Sequence, residues 1–193
     1  MKLAVLFPGL GYTVYRPLLY YAGKLAGMNG YQVTPVTYPD FPRDVKGDAV
    51  RMQACFVSAY DRAEETLRDI PWHGCEDILF IGKSIGTTVA ARYAKEHGIP
   101  ARLVLLTPLE DTFRFTEGAA DKKNTAIAFH GTADPWAATD AIVRACRERN
   151  IPLYLTEGAN HSLETGDVNA DLAALVQTMK TIEAFLAGKT GDR

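Results

Sequence analysis

The chain of 193 residues is poor in the features that would send it out of the cytoplasm or onto a polyanion. It has three cysteines, Cys55, Cys75 and Cys146, an odd number with no paired metal-ligand spacing, so neither a disulfide framework nor a zinc site is expected. No window approaches the roughly 18 consecutive apolar residues of a membrane span. The apolar start, Leu3 to Phe7, breaks at Pro8-Gly9, too early for a secretory core, and reads as a buried strand. Neither sign of charge dominates: 21 basic against 23 acidic side chains give a formal charge of −2, and no basic run compensates locally. The long-range field that gathers nucleic acid or an anionic membrane is therefore missing. A reduced, cytoplasmic protein that binds neither is the expectation. Internal repeats, low-complexity tracts and linkers are also lacking, and a composition 47% hydrophobic and 23% charged describes one globular domain. Residues 1–188 form that domain, with 189–193 a C-terminal tail.

What is present is an alternation. Four short, almost wholly apolar runs, Leu3 to Phe7, Ile78 to Ile81, Leu103 to Leu106 and Ala126 to Phe129, have the character of strands buried on both faces of a parallel sheet. Tyr31 to Tyr38 and Ile151 to Leu155 are weaker candidates. Between them, Val45, Ala49, Met52, Phe56, Ala59, Ala63, Leu67 and Ile70 step by four and three along one helical stripe ending before Pro71. A second stripe runs from Val168 to Leu186 and stops at Gly188. This predicts an α/β three-layer sandwich on a mostly parallel six-stranded sheet. Pro35 cannot donate a ladder hydrogen bond, which puts the second strand at a sheet edge.

The chemistry starts at Gly82-Lys83-Ser84-Ile85-Gly86, a G-x-S-x-G pattern where a strand turns into a helix. Such a turn strains the serine backbone, brings neighbouring chain close to the flanking glycines and exposes the hydroxyl above the sheet. With three serines and 16 glycines in the chain, a chance match is rare, although an inert serine in a Gly-rich turn is the bland reading. The same letters end a phosphate-binding loop, but that motif wants glycine at position 77, which is Asp77. Gly9-Leu10-Gly11 begins a dinucleotide fingerprint whose third glycine would fall at Val14.

A serine nucleophile needs a base. His73 lies in a turn, His97 at a helix C-terminus and His130 at a strand end, all with structural explanations. His161, in the loop between the last strand and the last helix, is the candidate. The carboxylate that orients it is expected to be Asp134, in the strand-end segment His130-Gly131-Thr132-Ala133-Asp134-Pro135, unless Asp134 merely caps a helix starting at Pro135. Glu110 and Asp111 are the alternatives.

Ser84, Asp134 and His161, in that order and each after a different strand, resemble the α/β-hydrolase family over nearly the whole chain. The resemblance implies a serine hydrolase cleaving a carboxylic ester or thioester through an acyl-enzyme, on a small acyl substrate and with no metal or organic cofactor. It also implies that Phe7-Pro8-Gly9-Leu10-Gly11-Tyr12 is the oxyanion segment, with Pro8 in place of the usual histidine and the backbone N–H groups of Leu10 and Ile85 as donors. If the first strand corresponds to the family's third, the first two strands of the fold are missing and the second strand here is the edge. Lys83 before the serine is similar to a subgroup of small α/β-hydrolase-like proteins that includes scaffolds, which keeps a non-catalytic binding protein as the alternative. Tyr12, Trp136 and Lys83 are substrate-binding candidates. Tyr12 and Trp136 have packing on neighbouring helices as their alternative, and Lys83 a structural ion pair or a solvated position. Thr107 to Asn124 is the only stretch with room for a lid, and it carries no long helical stripe, so an open, shallow site is expected.

Overall fold

The computed structural model describes residues 1–42, 45–116 and 125–188. Six strands, β1 (Lys2–Phe7), β2 (Tyr31–Pro35), β3 (Asp77–Lys83), β4 (Arg102–Leu106), β5 (Ala126–Gly131) and β6 (Leu153–Thr156), form one sheet in the order β2-β1-β3-β4-β5-β6. Every pairing is parallel. Helices α1 (Pro17–Met28) and α5 (Val168–Leu186) cover one face, and α2 (Ala49–Leu67), α3 (Ile85–Glu96) and α4 (Thr139–Glu148) the other.

Period-2 alternation explains the continuous apolar runs. In β1, Leu3, Val5 and Phe7 join the core under α2 and α3, while Ala4 and Leu6 join the core under α1 and α5. β3 divides in the same way, with Ile78 and Phe80 on one side and Leu79 and Ile81 on the other. A strand covered on both faces has no polar side to show.

β2 is the edge strand, as Pro35 requires. It ends at Pro35 rather than continuing to Tyr38. One more ladder bond runs from the Val36 N–H to the Leu6 carbonyl (2.9 Å), after which Pro39 and Pro42 supply no donors. The helical stripe beginning at Val45 also overshoots. Gly47, at φ 82°, and Asp48, whose side chain accepts from the Arg51 N–H, start α2 only at Ala49. In α5 the N-terminal half of the stripe, Val168, Leu172 and Val176, is exposed, and burial begins further along, at Thr178, Ile182 and Phe185.

The cysteines are free, Cys55 and Cys146 buried and Cys75 partly so. Among the described residues no helix is long and apolar enough to cross a membrane. The tail 189–193 and the part of the expected lid stretch from 117 to 124 lie outside the described residues.

Candidate active site

The C-terminal ends of β1, β3, β5 and β6 deliver four segments to one place, and glycines determine how closely they meet. Ser84 follows β3 directly at φ 56°, ψ −125°, a conformation that L side chains rarely adopt. A Cβ at Gly82 would stand 2.7 Å from the Gly86 carbonyl oxygen, and one at Gly86 would stand 2.2 Å from that of Phe7. The two glycines of the motif thus let the first turn of α3 press against both its own strand and the end of β1. Gly9 lies against the nucleophile in the same way, since a Cβ there would be 3.2 Å from the Ser84 Cβ.

The acid and the histidine come on two loops tied to each other. The Ala133 N–H donates to the Ala159 carbonyl (2.9 Å), and the Gly158 N–H to Thr132 Oγ1 (2.7 Å). A Cβ at Gly131 would fall 2.2 Å from the Ala159 oxygen, so the histidine loop sits directly on the acid loop. Asn160 closes that loop by accepting at Oδ1 from the Ser162 N–H (2.7 Å).

These supports bring Ser84, His161 and Asp134 into one hydrogen-bonded line. Ser84 Oγ lies 2.7 Å from His161 Nε2, and His161 Nδ1 lies 2.7 Å from Asp134 Oδ2. Asp134 Oδ1 accepts the Trp136 N–H at 2.8 Å. Asp134 does not cap a helix at Pro135, because α4 starts only at Thr139. The other acidic candidates are elsewhere: Asp111 pairs with Arg114 (3.2 Å), exposed on the 3₁₀ turn Glu110–Phe115 that also holds Glu110. His97 caps α3 and pairs with Glu64 (2.6 Å), and His73 lies in the short turn Trp72–Gly74.

Electrostatics suit a neutral imidazole beside an ionised carboxylate. Burial lowers the His161 pKa; Asp134 opposes this through its hydrogen bond, and the Lys83 charge adds to the lowering. For Asp134 burial works upward, but the hydrogen bond and charge of His161 and the Trp136 N–H outweigh it and hold the carboxyl below its ordinary value. The N–H groups of Leu10 and Ile85 donate no hydrogen bond among the described residues, as oxyanion donors require.

Two neighbours escape a reading of the sequence. His130, fully buried at the end of β5, places Nδ1 3.6 Å from the same Asp134 Oδ2 that binds His161, and burial lowers its pKa too. Its Nδ1, like Thr107 Oγ1 at the end of β4, has no hydrogen-bond partner among the described residues. The strand-end position of His130 was the available signal. The second omission is the connection between β2 and α2. Phe41 and Val45 from it cluster with Leu10, Met52, Ile85 and Trp136. These side chains stand beside Ile85, the residue after Ser84, and Ser84 itself is 8% exposed; the residues 117–124 on which the expected open site depends lie outside the described residues. The groove wall comes from residues 35–42 and Val45, and the described part of Thr107 to Asn124 contributes Leu109 to the cluster.

The substrate-binding candidates separate. Trp136 stands beside His161, ring centroids 5.6 Å apart, and borders a groove of about 680 Å³ between the loop that follows β1 and residues 35–42. Tyr12 turns away to pack on the α1 side, where its Oη accepts the Leu18 N–H (3.1 Å). Lys83 is not solvated and, among the described residues, makes no ion pair: it is 1% exposed, and its Nζ sits 4.9 Å from the centre of the Tyr12 ring.

By sequence, no family model and no curated protein matches the chain. Solved structures match over its length. An α/β serine hydrolase homologue from Coxiella burnetii is 15% identical with a TM-score of 0.61, covering 95% of this chain and 83% of its own. Est1E from Butyrivibrio proteoclasticus, with ferulic acid bound, is 13% identical (TM-score 0.67; 98% and 89%). A lidless α/β serine hydrolase from Xanthomonas campestris is 12% identical (TM-score 0.57; 96% and 81%). The chain has the α/β-hydrolase fold.

Proposed function

We propose that this chain is a serine hydrolase acting on a carboxylic ester or thioester through an acyl-enzyme. The observation that carries the reading is the continuous Ser84–His161–Asp134 line, with 2.7 Å at both links. Ser84 Oγ attacks the carbonyl carbon as His161 Nε2 takes its proton. The tetrahedral oxyanion lies between the Leu10 and Ile85 N–H groups. His161 then protonates the leaving alcohol or thiol as its bond to the carbonyl carbon breaks. Water repeats the sequence on the acyl-enzyme, releasing the acid and returning the proton to Ser84.

The groove beside Trp136 is the place for the acyl group. Its walls include Pro35, Tyr38, Phe41 and Trp136, a lining that favours apolar and flat acyl chains. The ferulic acid held by Est1E, on the same fold, supports including hydroxycinnamoyl esters in a substrate panel.

The test is labelling by a fluorophosphonate together with turnover of p-nitrophenyl esters. Wild type should react in both, and Ser84→Ala and His161→Ala should abolish turnover, with Ser84→Ala also losing the label. A wild type that neither labels nor turns over, or turnover indifferent to both substitutions, overturns the reading and leaves a non-catalytic binding protein on the same fold.

A further inference from the structure

Lys83 is the feature that the proposed chemistry leaves unused. It stands immediately before the nucleophile on a strand whose next four residues inward, Leu79 to Gly82, are all buried, and its own side chain is 1% exposed. A buried ammonium is normally paired or neutralised. Here Asp134 and Glu164 act on it only through space, burial pulls its pKa down to about 7, and the group that faces its Nζ is the Tyr12 ring at 4.9 Å.

Tyr12 is the far end of the oxyanion segment. The Gly9 N–H donates to the Tyr12 carbonyl (3.0 Å) and the Tyr12 N–H to the Gly9 carbonyl (3.3 Å), a closed pair that presents Leu10 and Gly11 at its tip. Gly11 takes φ 65° there, and the Leu10 N–H has no acceptor among the described residues. The Tyr12 ring is anchored on its outer side by the Leu18 N–H at the start of α1. The main chain of position 83 meets the other end of the same pair, because the Lys83 carbonyl oxygen would lie 3.2 Å from a Cβ on Gly9. Residue 83 thus supports both ends of the Gly9–Tyr12 loop, with its backbone under Gly9 and its side chain under Tyr12.

We propose that the Lys83 side chain is a positioning residue for the oxyanion hole: by bearing on the Tyr12 ring, it sets where the Leu10 N–H stands above Ser84. The proposal rests on the serine-hydrolase reading given above. Oxyanion donors work within a distance window about 0.4 Å wide, and a misplacement of about 1 Å costs on the order of 100-fold in rate. A strut of this kind acts on the transition state more than on substrate binding, because Leu10 is one of many residues that line the groove while its N–H is one of two proposed oxyanion donors.

The experiment uses Lys83→Met, Tyr12→Leu, Tyr12→Phe and the Lys83→Met/Tyr12→Leu double variant, measuring kcat and KM on a p-nitrophenyl ester and the inhibition constant of an alkylboronic acid. The expected result for Lys83→Met and Tyr12→Leu is a kcat lower by about 10- to 100-fold with KM within about twofold, and boronate affinity weakened in proportion to kcat. The double variant should be no worse than the worse single, and Tyr12→Phe, which keeps the ring, should recover at least about tenfold over Tyr12→Leu. A Lys83→Met kcat within about twofold of wild type, or losses that multiply in the double variant, overturns the strut. If Lys83→Met does not fold, Tyr12→Leu against Tyr12→Phe decides alone: equal kcat values overturn the proposal. A wild type that neither turns over esters nor takes the fluorophosphonate removes the hydrolase reading first. An active wild type with an indifferent Lys83→Met removes only the strut.

Discussion

Gly86 and Phe7 touch through their backbones: a side-chain carbon at position 86 would lie 2.2 Å from the Phe7 carbonyl oxygen. That contact joins the helix behind Ser84 to the strand that leads into the Gly9–Tyr12 loop, and both partners are main chain, so neither gives way cheaply. Gly86→Ala is expected to destabilise the protein by about 1–3 kcal/mol, or more if β1 cannot shift, and to lower ester turnover at least tenfold. Urea denaturation and steady-state kinetics on the same preparation check both. Wild-type stability and turnover in this variant would show that the strand and helix ends are less tightly joined.

The strain at Ser84 separates two ways of removing its hydroxyl. Both Ser84→Ala and Ser84→Gly lose the nucleophile, but only glycine adopts φ 56°, ψ −125° without a steric penalty. Strain of this kind is of order 1–3 kcal/mol, and glycine's extra unfolded-state entropy offsets part of it. Ser84→Gly is therefore expected to be more stable than Ser84→Ala by about 1 kcal/mol. Denaturant midpoints of the two variants measure this, and the reverse order would mean that the elbow is relaxed.

Burial places the His161 pKa below its ordinary 6.5. The imidazole acts as a base only when neutral, so activity is lost as pH falls through this lowered value. The acid limb of kcat/KM should have its midpoint below pH 6.5. Asp134→Asn removes the carboxylate that raises the His161 pKa and orients its ring, and should cost about 10³- to 10⁴-fold in kcat. A limb centred above 6.5 would contradict the buried, neutral base.

Lys83 links stability to pH on the alkaline side. Its pKa is 10.5 in the unfolded chain and about 7 in the folded one, so between these values the unfolded chain binds the extra proton. The stability this group contributes therefore falls as pH drops from 10.5 towards 7. Lys83→Met removes the buried amine, so the variant should be more stable than wild type at pH 7, with the gap closing towards pH 10. Thermal melts at several pH values test this. A gap that widens with pH would mean that the ammonium is better paired than its surroundings indicate.

Much of this protein can be read along the chain. Strands covered on both faces must be apolar at every position, so Leu3 to Phe7 and Ile78 to Ile81 stand out without any structure, and Pro35 marks the edge because it lacks a donor. Ser84, Asp134 and His161 are legible because each lies just past a strand end, and Gly82 and Gly86 because close backbone approach admits no side chain. The start of α2 is less legible, since the stripe from Val45 continues outside the helix: Val45 is buried as part of the cleft wall, not as part of a helical face.

What the sequence determined by itself is local or periodic: the sheet, its edge, the placing of Ser84, Asp134 and His161 past strand ends, and the glycines that let those segments meet. Only the tertiary structure decided the rest. The wall that Phe41 and Val45 form against Leu10, Ile85 and Trp136, the meeting of His161 and His130 on one Asp134 carboxylate, and the position of Lys83 beneath Tyr12 all bring together residues far apart in the chain. None has a sequence period, because each depends on how two remote loops cross above the strand ends. A lysine beside a serine reads as a surface charge until the fold closes a ring over it.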